Sequence, residues 1–391
     1  MRKILYLQWD CFGEEYICDS FRRQGYDVES YPIPYGKIAL RHDEDFERKL
    51  TEKLSSDHYE FVYSFNYFPA VALAAYRVSC TYVSWTYDSP FMYLYSKTIA
   101  FPTNLAFCFD KATVQRLQAL GASNVRYLPM AAPVEVYDHM YSGAKERKLY
   151  TSEVSFVGSL YTESRQDFMK YLTGVNPAVS EYLNVLMQLQ LKTFDRNILE
   201  EFLKPEILKE LRRVCPLELS DDEMQTEAWM YANYFLARAV TAKERSELLE
   251  NIAERYSVKL YTPEPTPQYP AIINCGPVDY CCDMPYVFKN SGINLNISLR
   301  SIESGIPLRV FDIMGCGGFV ISDYQADFHD YFIAGEDYVY YTTPEDLYAK
   351  IDFYLEREDL RKRIAKNGYE KVKMYHTYDH RVKEMTGWLK G

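Results

Sequence analysis

The sequence predicts an α/β protein made of two doubly wound, parallel-sheet domains in tandem. Three observations carry that expectation. The chain has 391 residues, more than one ordinary domain needs and enough for two, taking about 150 per domain as the guide. Hydrophobic residues make up 48% and charged residues 25%, the balance of a soluble globular chain with a core of its own. Short apolar runs alternate with amphipathic segments, stop at a polar stretch, and then start again. Strands alternating with helices of about ten residues mean βαβ units and a parallel sheet.

In the first half, strands are expected at residues 4–8, 26–31, 61–65, 80–85, 105–110 and 125–128. Apolar residues at helical spacing fill the intervals at 14–24, 46–54, 71–78 and 111–120, and Gly25 and Gly121 are C-terminal stop signals. Residues 129–150 are polar and aperiodic and read as a connection. The second half opens with a strand at 154–157 and then turns helical from about 167 to 256. That insertion is clearest at 183–191, 198–211 and 223–239, and Pro205 and Pro216 punctuate it. Strands resume at 258–261, 271–275, 293–297, 319–322 and 338–340. Helices at 344–356, 359–373 and 378–389 close the chain. The domains are therefore expected at 1–135 and 151–374, with the helical insertion inside the second. Open parallel sheets take ligands beyond the carboxyl ends of their strands, so two such domains are expected to share a binding cleft.

The charge balance is 44 basic against 55 acidic residues, a net −11. A partner read through its phosphate backbone calls for the opposite sign, so no nucleic acid is expected. The 37 Tyr, 21 Phe and 4 Trp suit stacking on ring-shaped ligands, and suit core edges equally well. Nine cysteines show no C-x-x-C pair, which predicts free thiols in a reducing cytoplasm. His376 and His380 stand four apart without a third ligand nearby, so no metal site is expected. The apolar run at residues 4–7 is too short for a secretory leader. The weakly charged run at 61–76 is broken by Asn66 and Pro69, so no integral membrane segment is expected.

The stretch 294–323, NLNISLRSIESGIPLRVFDIMGCGGFVISD, carries the most chemistry. A strand should end near Ser298, a loop holds Gly305, and Pro307 suits the first position of a helix over 308–314. A glycine ahead of a helix N-terminus offers backbone N–H groups and the helix dipole to a diphosphate. Asp312 stands on the first turns, where it can accept hydrogen bonds from ribose hydroxyls. Arg300 and Arg309 flank the loop and can neutralise phosphate oxygens. A plain strand–loop–helix unit with a surface Asp and two solvated Arg fits the same spacing.

This stretch resembles the C-terminal segment of GT-B glycosyltransferases and is especially similar to the CgeB-like (spore maturation protein B-like) family. The N-terminal half resembles the domain usually joined to it, at 64–69 (SFNYFP), 82–90 (YVSWTYDSP), 109–111 (FDK) and 127–131 (YLPMA). The segments 154–160 (VSFVGSL), with Arg165, and 276–280 (GPVDY) complete the likeness. The resemblance implies the GT-B fold, with two facing Rossmann-like domains and a last helix, 375–391, crossing back to the N-terminal one. It implies an acceptor-side first domain and a donor-binding second domain. The implied activity is hexosyl or deoxyhexosyl transfer from a UDP-, GDP- or dTDP-sugar, with neither metal nor cofactor, to an acceptor left open.

Position by position, the resemblance makes Gly158 and Ser159 the phosphate-side turn and Arg165 a basic partner of the donor diphosphate. Gly305, Ile306, Pro307 and Leu308 become the backbone cradle, beside Arg300 and Arg309. Asp312 matches the second carboxylate of the E-x7-E pattern of retaining GT-B enzymes. Ser304 stands where the first belongs and Glu303 is one place off, so the sugar contact and the stereochemical outcome stay open. GT-B enzymes take any acceptor base from the N-terminal domain, and Asp10, Glu14 and Asp88 follow expected strands there. Asp88 is the first choice, since it ends a buried strand ahead of Pro90, although an Asp that merely shapes the turn fits too. A catalytically silent GT-B-like binding or assembly module in a spore or cell-surface pathway is the second reading, fed by Ser304. A sugar-nucleotide epimerase ranks third, because His329 is the only donor-domain histidine outside the C-terminal tail.

Overall fold

Six parallel strands form the first sheet: β1 (Arg2–Gln8), β2 (Tyr26–Pro32), β3 (Phe61–Phe65), β4 (Tyr82–Thr86), β5 (Asn104–Cys108) and β6 (Val125–Tyr127). They lie in the order β2-β1-β3-β4-β5-β6. Every residue of β3 and β4 is buried. Strands covered on both faces read as continuous apolar runs, which is why they are visible in the sequence. The structure, a computed structural model, describes residues 2–36, 40–162, 169–194 and 196–389, with Met169 and Tyr171 described by backbone alone.

A second all-parallel sheet holds β7 (Ser152–Val157), β8 (Val258–Tyr261), β9 (Ile273–Asn274), β10 (Ser291–Asn296), β11 (Val320–Asp323) and β12 (Val339–Tyr341). Its order is β12-β11-β10-β7-β8-β9. In both sheets the order reverses about the first strand. The crevices that such a reversal opens lie beyond the carboxyl ends of β1 and β3 in one sheet, and of β7 and β10 in the other. Val154, Phe156, Ile293, Leu295, Ile297 and Ile321 fill the core around β7 and β10.

The chain divides into two compact units. The first holds Met1–Ala131, Leu219–Gln225 and His376–Gly391, and the second holds Ala132–Glu218 and Thr226–Tyr375. Residues 132–150, expected as a plain connection, form two short helices, Val134–Asp138 and Ala144–Tyr150, grouped with the second unit. Sequence pattern placed helix over 223–239. The chain there is irregular up to Gln225, with Glu223 bridged to Ser96, and the Thr226 hydroxyl then accepts from the Trp229 N–H at 3.0 Å and starts the helix. Arg41 explains the non-helical piece, because it donates to Asp222 at 2.5 Å and to Glu223 at 2.6 Å. Residues 198–211 likewise split into a single turn at Glu200–Phe202 and a helix at Pro205–Val214, since Pro205 opens a new helix.

In the first unit the last helix, Tyr378–Trp388, buries Tyr378, Val382 and Met385. The Tyr378 ring meets Trp85 and Tyr16, and Arg381 donates to the Met130 carbonyl at 3.2 Å. Among the described residues no helix is long and apolar enough to cross a membrane.

Candidate functional site

The polar residues of interest in the second unit gather at its switch point. After β7 the backbone turns at Gly158, whose φ of 148° favours glycine, and a Cβ there would come within 2.5 Å of the Arg309 guanidinium. Arg309 stands on the helix Leu308–Gly315 and donates to the Asn296 side-chain oxygen at 3.1 Å, at the end of β10. Arg245, on the helix Ala237–Ala253, is buried and joins the same two strand ends. It donates to the Ser159 carbonyl at 2.6 Å and to the Ile297 carbonyl at 3.0 and 2.5 Å. Both guanidinium groups lie 5.1 Å from the centre of the Phe156 ring, and Arg245 also covers Tyr161 at 4.9 Å. Burial and the neighbouring Arg245 charge push the Arg309 pKa down to about 10. Two cations this close in a partly desolvated place favour an anion between or beside them.

The cradle residues adjoin this cluster. Gly305, Ile306 and Pro307 are buried, Ser304 and Leu308 half-buried. The Ser304 carbonyl accepts from the Asp327 N–H at 3.0 Å. Pro307 is the N-cap and not the first helical residue: its ψ of 149° is extended, and helical dihedrals begin at Leu308. Proline brings no capping side chain, so the first N–H groups of this helix receive no acceptor from that residue.

Asp312 is buried, and its Oδ1 accepts from the Tyr137 hydroxyl at 2.9 Å and from the Tyr280 hydroxyl at 3.1 Å. Its Oδ2 takes part in neither bond. Burial lifts the Asp312 pKa to about 7, against the two tyrosine bonds and Arg309, which pull it down. Tyr280 lies on the loop 275–283 and is half-buried, so the carboxylate has one side-chain cover at the surface. Arg300, expected beside the diphosphate, is engaged elsewhere: it makes a two-pronged pair with Glu244 at 2.8 and 2.5 Å and lies over Phe194. Both partners are buried, so its charge is matched inside the protein. Arg165 lies outside the described residues. Tyr286 stacks on Tyr150, as packing and not as part of this cluster.

The acceptor-side candidates sit at the carboxyl edge of the first sheet. Asp10 follows β1 with a φ of 41° and is exposed. Glu14 opens the helix Glu14–Arg23 half-buried, and burial raises its pKa, with Gln8 opposing and Asp10 assisting. Asp88, exposed after β4, accepts from the Asn66 side-chain amide at 2.7 Å, and Asn66 follows β3. The Asn66 oxygen in turn receives the Tyr87 N–H at 3.2 Å, so the switch-point residue sets the direction of the Asp88 turn. Among the described residues no group of three or more His, Cys, Asp or Glu side chains is placed to hold a metal ion.

Sequence reasoning missed Arg245, Phe156 and Tyr137. Arg245 was one charge in a long helix, and its partners lie 86 and 52 residues away. Phe156 carried a signal, as the aromatic that precedes the Val157-Gly158 turn.

Residues 243–387 match the sequence profile of a family described as glycosyl transferase-like. The match takes in Arg245, the cradle and Asp312. No curated protein matches the chain. Solved structures do. HepE from Anabaena, in complex with UDP and glucose, is 12% identical over 100% of both chains, with a TM-score of 0.54. A glycosyltransferase from Rickettsia africae is 11% identical over 100% of this chain and 98% of its own, with a TM-score of 0.56. Sucrose-phosphate synthase from Thermosynechococcus elongatus is 10% identical over 100% and 98%, with a TM-score of 0.54. Together with the two parallel six-stranded sheets, the likeness shows the fold, which is GT-B.

Proposed function

We propose that this chain is a glycosyltransferase that binds a nucleoside diphosphate sugar in its second unit and transfers the sugar to an acceptor served by its first. The observation that carries this reading is the pair of guanidinium groups, Arg245 and Arg309, at the β7/β10 switch point. Charge builds on the departing diphosphate as the glycosidic bond breaks, and fixed cations in a low-dielectric site lower that barrier. Arg309, the Gly158 turn and the uncapped start of the helix Leu308–Gly315 take the phosphates. Asp312 takes the ribose hydroxyls through Oδ2 once Tyr280 yields, which places the nucleoside beyond the diphosphate. Arg245 chiefly positions the two strand ends. Asp88 is the proposed base on the acceptor hydroxyl, with Asp10 and Glu14 as the other carboxylates of that edge.

The transfer is proposed to need no metal, because protein cations already answer the diphosphate charge. The specific motif at 294–323 supports the CgeB-like group within this class. HepE has been solved with UDP-glucose, which makes UDP the first nucleotide to try. Nine free cysteines support a cytoplasmic place of action. Melting the protein with UDP, GDP and dTDP is the test. Binding to the folded state raises stability by RT ln(1 + [L]/Kd), so one nucleotide should shift the melting temperature upward in proportion to the logarithm of its concentration. Silence across all three would favour the binding or assembly module.

A further inference from the structure

The second sheet has another opening, at the end opposite the arginine cluster. A groove of about 920 Å³ runs along the amino ends of β7 and β10, bordered by the turn 316–318 and the helix Glu358–Tyr375. Small-molecule sites span roughly 300–1,000 Å³, so the volume is that of a ligand and not of a water or two. Its floor is apolar, from Phe288, Phe319, Leu355 and Ala365. Its walls carry Lys289, Arg361, Lys362 and Lys366 against Glu153 and Glu358, an excess of positive charge in a chain whose total is −11.

The partners of these charges sharpen the point. Glu358 is already paired with Lys362 at 2.6 Å, and Glu153 accepts from the Ser257 N–H at 2.7 Å. Lys289 donates to the carbonyls of Tyr137 and Met140, at 2.5 and 2.7 Å. Arg361 donates to the carbonyls of Tyr354 and, at 2.7 Å, Leu355. Main-chain carbonyls are neutral, so they orient these two cations without cancelling them. Burial pushes the pKa values of both Lys289 and Arg361 down, and it outweighs the opposing pull of Asp138 on the first and Glu358 on the second.

We propose that this groove is a second ligand site for a small organic phosphate, its apolar part on the Phe288 and Phe319 floor and its phosphate against Lys289, Arg361 and Lys366. The site lies beyond the amino ends of the strands whose carboxyl ends carry Arg245 and Arg309. It is therefore separate from the nucleotide site and stands whether or not the chain transfers sugar.

Phenyl phosphate is the probe, since it joins one ring to one phosphate. Calorimetric titration into the full chain should show saturable binding, and inorganic phosphate, which lacks the ring, should bind more weakly. Reversing one wall charge with K366E, at an exposed position that leaves folding intact, should weaken phenyl phosphate at least about fivefold. R309M should leave it unchanged. Binding unaffected by K366E, binding lost in R309M, or no saturation up to about 10 mM, a Kd too weak to count as a site, would each overturn the proposal.

Discussion

Asp312 concentrates the chemistry of the second unit in one carboxyl group. Its pKa is raised to about 7 in the fold, while an unfolded Asp titrates near 4. Between those values the folded protein holds a proton that the unfolded chain has released. Stability contributed by this group therefore falls as pH rises from about 4 to 7. Asp312→Asn lacks the titration yet keeps an oxygen for Tyr137 and Tyr280. Its melting temperature relative to the parent should climb over that pH range, and parallel curves would contradict the assignment. The same substitution should weaken nucleotide binding by about 1.5–3 kcal/mol, the worth of a charge-assisted hydrogen bond, as read by calorimetry. Asp88→Asn should behave in the opposite way, leaving nucleotide affinity intact while slowing transfer about 10²–10⁴-fold. Arg245→Met, which strips donors from the Ser159 and Ile297 carbonyls, should lower stability by about 2–4 kcal/mol in denaturant titration.

The last helix shows how one element can be read for its own face and not for its neighbours. Tyr378, Val382 and Met385 recur at four and three, and that spacing alone put them on one buried face. The same pattern could not show that Arg381 would be buried beside them, because its partners, His376 and the Met130 carbonyl, are matters of tertiary placement. Trp388, the last residue of this helix, is 53% exposed and lies under Arg126. Ending the chain before His376 would uncover Trp85, Tyr16 and the Met130 carbonyl of the first unit. The truncated protein should melt lower and lose transfer, while nucleotide binding by the second unit persists in calorimetry. Full turnover after truncation would show the helix to be dispensable. The irregular piece Leu219–Gln225 was hidden from the sequence for a related reason. Its acidic residues scan as a helix start, and only Arg41, far away in the chain, draws them to the first unit.

At the scale of the molecule, both sheets were legible because parallel strands buried on two faces leave unbroken apolar runs with helices between them. The stretch 294–323 was legible because glycine and proline fix local backbone. Of the cluster it belongs to, the family resemblance gave Gly158 and Arg309, while Arg245 and Asn296 stayed hidden because they join those two only when β7 and β10 lie side by side. Activity should survive EDTA on this account, because Arg309 and backbone N–H groups take the diphosphate, and rescue by magnesium or manganese after inactivation would contradict that. The most direct test of the central claim is amide hydrogen exchange with and without UDP. Slowed exchange should appear around Gly158–Ser159 and over residues 305–312, with residues 358–369 unchanged. Uniform exchange in the presence of saturating UDP, or protection confined to the first unit, would show that the nucleotide site is not where Arg245, Arg309 and Asp312 stand.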